Sequence, residues 1–396
     1  MKLLLIIDDY LPYSKKVAAK MMHELALDLQ KNNHFVTVIN PNYRIKKKHK
    51  VEVIDGIEVV YFKSGKIKNI PKFKRAINES LLSFNFYFNT LSFFKNKSYD
   101  GIIYFSPSIF FGPIISVLKY RWNCKTYLIL RDIFPQWIID NGLIKKDSLI
   151  HKYFNFFENL NYKVADNIGV MSDSNLNYFK KRFTNTSKYH VLFNWSSILT
   201  PPNEKYYYRK KLKLEKKIVF FYGGNIGIAQ HMITLVKLSI ALKERDNIHF
   251  VFVGKGDEVD LLIKNIKQFD LKNITYLPPV NQKEYLEMLH EFDVGLFSLH
   301  PNHKTHNFPG KLLSYMNYEK PILGCVNSGN DLKDIVNHAN AGFISYTTDK
   351  ESLIKNAIKL AENKELRLQM GRNGKNLLKN KFSVFSASKN IQKFMS

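Results

Sequence analysis

The chain has 396 residues, enough for two domains of ordinary size, and 45% of them are apolar, which excludes a disordered polymer. Sixty basic residues against 34 acidic ones give a net charge of +26, an excess that points to polyanionic partners such as an anionic membrane or a phosphate-bearing substrate. No RNP, zinc-finger or helix-turn-helix signature accompanies the charge, which argues against nucleic acid. Cys124 and Cys325 lie far apart without CxxC spacing, so neither a disulfide framework nor a thiolate zinc site is implied, and a reducing compartment is expected.

The opening run Lys2-Leu-Leu-Leu-Ile-Ile7 is expected to be a buried first strand. It stops at Asp8-Asp9 without a small-residue cleavage site, so it does not read as a signal peptide. A helix over 17–30 follows, with Ala18, Met22, Leu25 and Leu29 on one face, then strands over 34–39 and 57–62. Basic residues gather at Lys15, Lys16 and Lys20, over 44–50 and over 63–75. The last cluster leads into an aromatic stretch, 81–94, containing Phe84, Phe86 and Phe88. That order is the pattern of an interfacial membrane patch; the alternative is a core helix beside a solvated lysine-rich loop. Pro107, Gly112 and Pro113 interrupt the apolar segment 101–118, so a strand, a turn and a short buried helix are expected there rather than a membrane span. Further strands over 99–105, 126–130, 167–171 and 189–195, with helix-length connections, imply parallel βαβ units.

Residues 196–214, with Pro201-Pro202, read as a linker. A second alternating series then begins, with strands at 218–222, 249–253, 274–277, 293–298, 321–325 and 342–345. Helices are expected over 351–360 and 364–378, and a last one over 383–394 that packs back on the first half. The fold class expected is α/β: two facing Rossmann-like, doubly wound domains, 1–197 and 198–380, with a C-terminal helix in 381–396 and a ligand cleft between the domains.

Three motifs of the second half carry the chemistry. Gly223-Gly-Asn-Ile-Gly227 and Val253-Gly-Lys-Gly-Asp257 end apolar strands in glycines, and Phe308-Pro-Gly-Lys-Leu312 is a turn that opens a helix. Glycine allows close backbone approach and helix starts favour anions, so a phosphate-bearing ligand is expected at the C-terminal strand ends. Lys311 is the first candidate for a diphosphate, against a solvated first-turn lysine. Gly224, Asn225 and Gly227 would admit the phosphates, and Lys255 would face the nucleotide, against an exposed turn. Arg131 and Asp132 end a first-half strand. There Asp132 would orient or deprotonate a substrate hydroxyl and Arg131 would meet a phosphate, against an Arg–Asp pair that holds the following turn. No Asp-x-Asp occurs, so protein cations rather than a metal are expected to face the phosphates of that ligand.

In order, these motifs resemble the B-type glycosyltransferases, and most of all glycosyltransferase family four, including bacterial O-antigen and capsule enzymes such as N-acetyl-L-fucosamine transferases. Leu130-Arg-Asp-Ile-Phe-Pro-Gln-Trp137 and Asn194-Trp195 strengthen the likeness, which runs over essentially the whole chain. The resemblance implies a nucleotide-sugar donor, expected to be UDP-linked, held by the second domain. Val280, after Pro278-Pro279, would sit in the base-binding loop, with Phe308, Pro309, Gly310, Leu312 and Ser314 around Lys311. It also implies a polyprenyl-diphosphate-linked saccharide as acceptor, with Asp9, Tyr13, Lys15 and Lys16 on that side, and a cytoplasmic enzyme peripheral on the inner face of the plasma membrane. The family's Glu-x7-Glu pair falls on His306 and Ser314, which removes the expected ribose contact. Its His-Asp at a first-domain strand end is Arg131-Asp132, and its Arg/Lys phosphate loop reads Ile228-Ala-Gln-His231. His303 and His306 are candidates to line the donor pocket, and Tyr285 and Leu286 read as ordinary core. Two rivals remain: a nucleotide-sugar 2-epimerase of the same fold, and a non-catalytic scaffold with a degenerate donor site. A dehydrogenase is disfavoured because no GxGxxG opens the first domain.

Overall fold

The computed structural model describes residues 1–396 except 15, 107, 132, 137–138, 140–143, 184–185, 201–206, 303–307 and 396. It divides into two compact units, Met1–Trp195 with Val384–Ser396, and Ser196–Ser383.

The first unit is built on eight strands. They are β1 (Lys2–Ile6), β2 (Phe35–Asn42), β3 (His49–Ile54), β4 (Ile57–Lys63), β5 (Gly101–Phe105), β6 (Lys125–Ile129), β7 (Asn167–Val170) and β8 (Tyr189–Val191). Their order in the sheet is β3-β4-β2-β1-β5-β6-β7-β8, so chain order reverses between β1 and β5. All pairings are parallel except β3–β4. β1 is central because Leu3, Leu4, Leu5 and Ile6 are buried on both faces, as a covered parallel sheet requires.

The hairpin strand β3 was not foreseen. Its turn is Asp55-Gly56, with φ of 49° and 82°, the left-handed pair that a tight hairpin demands. Polar His49 and charged Lys50 and Glu52 dilute its apolar alternation and also suit it to the sheet edge.

The aromatic stretch forms helix Leu82–Phe94, following helix Lys72–Ser80. Its three candidate membrane rings do not share one fate. Phe86 is buried and stacks on Phe62 at 5.1 Å, whereas Phe84 and Phe88 are exposed and touch each other at 4.4 Å. The three-ring patch is corrected accordingly, because 3.6-residue periodicity turns position 86 away from 84 and 88. Helix Val384–Met395 places Ala387, Ile391 and Met395 in one core with Leu25, Leu29 and Trp195, so the end of the chain completes the first unit.

The second unit has six parallel strands: β9 (Ile218–Asn225), β10 (Ile248–Lys255), β11 (Ile274–Leu277), β12 (Val294–Ser298), β13 (Ile322–Val326) and β14 (Gly342–Tyr346). Their order is β11-β10-β9-β12-β13-β14, reversing between β9 and β12. One face packs Phe220, Phe250 and Leu296 against helices Met232–Ala241 and Lys350–Glu362. Both cysteines are buried thiols. No helix among the described residues is long and apolar enough to cross a membrane.

Candidate functional site

In an open parallel sheet the place where strand order reverses leaves a crevice beyond the C-terminal strand ends, and in the second unit that place lies between β9 and β12. The two strands pair only at Val294–Phe220 and Gly295–Phe221, then separate. Tyr315, on helix Lys311–Asn317, fills the gap. Its hydroxyl reaches the carbonyl oxygens of Leu296 at 2.9 Å and Phe221 at 3.3 Å, one on each strand. Its ring lies where a side chain on residue 295 would stand: a Cβ on Gly295 would fall 2.3 Å from it. Tyr315 therefore fixes the helix over the sheet.

Lys311 is four residues earlier and shares that helix face. Its ammonium sits 3.4 Å from the centre of the Tyr222 ring, near the end of β9. It is shielded from solvent and has no hydrogen-bond partner among the described residues. Burial pushes its pKa well below the ordinary lysine value. A buried, unpaired ammonium is costly, so its presence at a sheet's switch point marks a place for an anion.

The neighbouring backbone is shaped for close approach. Gly224 has φ +130° and its Cα faces the end of the Lys311 chain, which a Cβ there would meet at 3.6 Å. A Cβ on Gly254 would lie 1.8 Å from the Gly224 carbonyl oxygen, and one on Gly256 would lie 2.1 Å from that of Ile226. The ends of β9 and β10 can run this close only with glycine at both positions.

The remaining donor-side candidates divide into lining and packing. Asn225 and Lys255 are exposed at the strand ends, and the Asn225 amide donates to Gln230 Oε1 at 2.7 Å. Gly227 is tight against Asp257, whose Oδ1 accepts the Ile228 N–H at 3.2 Å. Glu258 accepts the Met232 N–H at 2.9 Å, so the chain's own carboxylate already occupies that helix start. Val280 is half-buried just before Asn281, which caps helix Gln282–Glu291 in a capping box with Glu284. Gly310 is exposed and Pro309 half-buried at the turn. Leu312 is wholly core, and Phe308 packs on Phe382 at 4.5 Å. Ser314, at the family's second glutamate position, lies beside the Tyr285 side chain. That tyrosine is more than ordinary core, because its ring lies across Gly223, where a Cβ would approach it to 2.3 Å.

His303 and His306 lie outside the described residues, as do Asp132 and Lys15. A different histidine pair is present. His231 and His300 meet at 4.8 Å, at the ends of the loop after β9 and of β12. Burial, then the neighbouring His300, lowers the His231 pKa.

In the first unit the corresponding reversal, β1–β5, brings Asp8 and Asp9 to the strand end. Asp8 is buried and ion-paired with Lys68 at 2.5 Å. Asp9 accepts from the Ser14 hydroxyl at 2.9 Å and faces Lys16 at 3.4 Å. Tyr13 is exposed, edge-on to Tyr61, with Arg44 over its ring at 5.5 Å. Arg131 is buried, and it donates to the carbonyl oxygens of Leu192 at 2.9 Å and Phe193 at 3.2 Å with Trp195 beneath it. It pins the exit of β8 to the end of β6.

Sequence reasoning passed over Tyr222 and Tyr315. In apolar runs a tyrosine reads as core, and the signal that could have found them is the four-residue spacing from Lys311 to Tyr315.

Comparison with known proteins bears on the fold and the family. Residues 205–377 match the family described as "Glycosyl transferases group 1". The probable glycosyltransferase WbjE of Pseudomonas aeruginosa is 23% identical over 242 residues, 60% of this chain and 60% of its own length. Among solved structures, Anabaena HepE in complex with UDP superposes with a TM-score of 0.68 at 14% identity, covering 99% of each chain. WaaG, a glycosyltransferase involved in lipopolysaccharide biosynthesis, gives 0.66 at 13% identity, covering 100% of this chain and 99% of its own. The chain has the B-type glycosyltransferase fold, and most of its second unit is similar to the group 1 glycosyl transferases.

Proposed function

We propose that this protein transfers a sugar from a UDP-linked donor, without a metal ion, to a lipid-diphosphate-linked saccharide at an anionic membrane. The observation that carries the donor half is the unpaired Lys311 ammonium beside the glycines that end β9 and β10. Transfer requires the leaving diphosphate to be stabilised where its charge develops, and a desolvated cation held ready does this without reorganisation. HepE, solved with UDP and with UDP-glucose, supports UDP as the nucleotide. The sequence resemblance supports O-antigen or capsule assembly, with an amino-deoxy sugar such as N-acetylfucosamine as donor, and the involvement of WaaG in lipopolysaccharide biosynthesis is in keeping with the former. Titration with UDP, GDP and TDP in EDTA tests the reading. Selective UDP binding is expected, and binding of none would favour a degenerate scaffold. Turnover that requires added Mg²⁺ or Mn²⁺ would refute the metal-free mechanism.

The membrane half rests on the outer surface of the first unit. Phe73 (78% exposed) and Phe84 (59%) stand on the paired helices, and Leu149 (85%) and Phe156 (63%) stand on helix Leu149–Val164. The two groups are joined by the Tyr153 hydroxyl, which bonds to Ser80 Oγ at 2.7 Å. Exposed Lys72, Lys74, Lys145, Lys146 and Lys152 flank them. Apolar rings with a lysine rim fit anionic headgroups over an acyl boundary. Phe84→Ser with Leu149→Ser should release the protein from anionic vesicles at unchanged stability; undiminished binding would sink this half.

A further inference from the structure

We propose that Tyr222 is a positioning residue for the diphosphate: its ring face holds the Lys311 ammonium, desolvated and aimed, before any ligand arrives. The inference rests on the reading of the second unit as a nucleotide-diphosphate site and assigns the part that makes Lys311 effective.

A lysine chain has four rotatable bonds, and an unpaired ammonium ordinarily swings into water. Here it does not. It lies 3.4 Å from the Tyr222 ring centre, buried and without an acceptor. The negative face of an aromatic ring is its partner among the described residues, and such a contact is worth most where water is excluded. The ring is itself immobile. Tyr222 is fully buried, its phenol donates to the Asn225 carbonyl, and Phe252 packs beside it at 5.8 Å. Tyr315 holds the other end by locking helix Lys311–Asn317 over the splayed strands.

A ring satisfies a cation without consuming its N–H donors. The ammonium therefore keeps hydrogen bonds to give, and Gly224 leaves backbone-thin space beside it. A diphosphate arriving there meets a donor already stripped of water and fixed in place, which lowers the cost of binding. Asp8 is the contrast, since its carboxylate is already occupied by Lys68.

The experiment is calorimetry with UDP and with uridine on the full-length protein. Tyr222→Leu should weaken UDP by about tenfold, the scale of a desolvated cation–π contact, and leave uridine unchanged. Tyr222→Phe keeps the ring and should stay within about threefold of wild type for UDP. In the Lys311→Met background, Tyr222→Leu should cost nothing more, because the two act as one unit. If Tyr222→Leu does not fold, replacing Tyr222 with 3,5-difluorophenylalanine preserves packing while draining the ring face, and UDP should again weaken relative to Phe. Equal loss for UDP and uridine would make Tyr222 a structural residue only, and unchanged UDP affinity in Tyr222→Leu or the difluoro variant would overturn the proposal. Wild-type protein that binds neither ligand would instead sink the nucleotide site itself.

Discussion

The two units use the same architecture and treat charge at their switch points in opposite ways. At the β1–β5 reversal Asp8 has Lys68, Asp9 has Ser14 and Lys16, and Arg131 is tied to main-chain carbonyls. At the β9–β12 reversal the Lys311 ammonium is buried against a ring, with no anion beside it among the described residues. A charge satisfied within the chain stabilises that chain, whereas one left unsatisfied costs stability and is available to a ligand. The difference separates a rim that the fold has neutralised from one that it holds open.

The largest expected effect concerns the backbone that keeps the second rim open. Gly254→Ala would force a Cβ to 1.8 Å from the Gly224 carbonyl at φ +156°. It should destabilise the second unit by about 3–5 kcal/mol, seen as an early transition in thermal unfolding. Lys311→Met and Asp8→Asn then test the contrast directly. Lys311→Met should weaken UDP by roughly 30- to 100-fold, as loss of a charge-assisted contact would, with a melting temperature equal to or above wild type. Asp8→Asn strands Lys68, and should lower stability by about 1–3 kcal/mol without moving UDP affinity. The reverse pattern in either variant would break the comparison.

A smaller effect is shared by both units. His190 in the first and His249 in the second are each held down to about 4, chiefly by burial. Their folded values lie below the unfolded value of about 6.5, so the stability they contribute is present above pH 6.5 and is lost as pH falls towards 4. The expected loss is roughly 1–2 kcal/mol for each, allowing for partial solvation. His249→Gln should remove the second unit's share and leave the first unit's; identical acid profiles would show that other groups dominate.

Much of the second unit was legible in the sequence, because buried parallel strands are unbroken apolar runs and glycine stops them at their C-terminal ends. The segment beginning at Ile218 and the turn before Lys311 carry both signals. The hairpin at 49–63 was not legible through periodicity, since its edge strand is charged, although Asp55-Gly56 marked the turn. Phe86 was grouped with Phe84 and Phe88 because composition does not say which side of a helix a ring takes. Arg131 carries the general property of a cation at a strand end; only the fold shows its N–H groups turned onto Leu192 and Phe193. Tyr222 and Tyr315 escaped notice for a related reason. Their roles depend on two strands that part and a lysine brought between them, a relation between segments nearly 90 residues apart that no local pattern expresses.

The last helix belongs to the first unit, and this has a consequence for how the protein is made. The second unit lies wholly within Ser196–Ser383, while Val384–Met395 supplies Ala387, Ile391 and Met395 to the core around Leu25 and Leu29. On the ribosome every residue of the second unit emerges before those three side chains exist. The portion translated first is therefore the portion completed last, and throughout elongation it presents an uncovered apolar face to its surroundings, a window in which chaperones have a defined place to act.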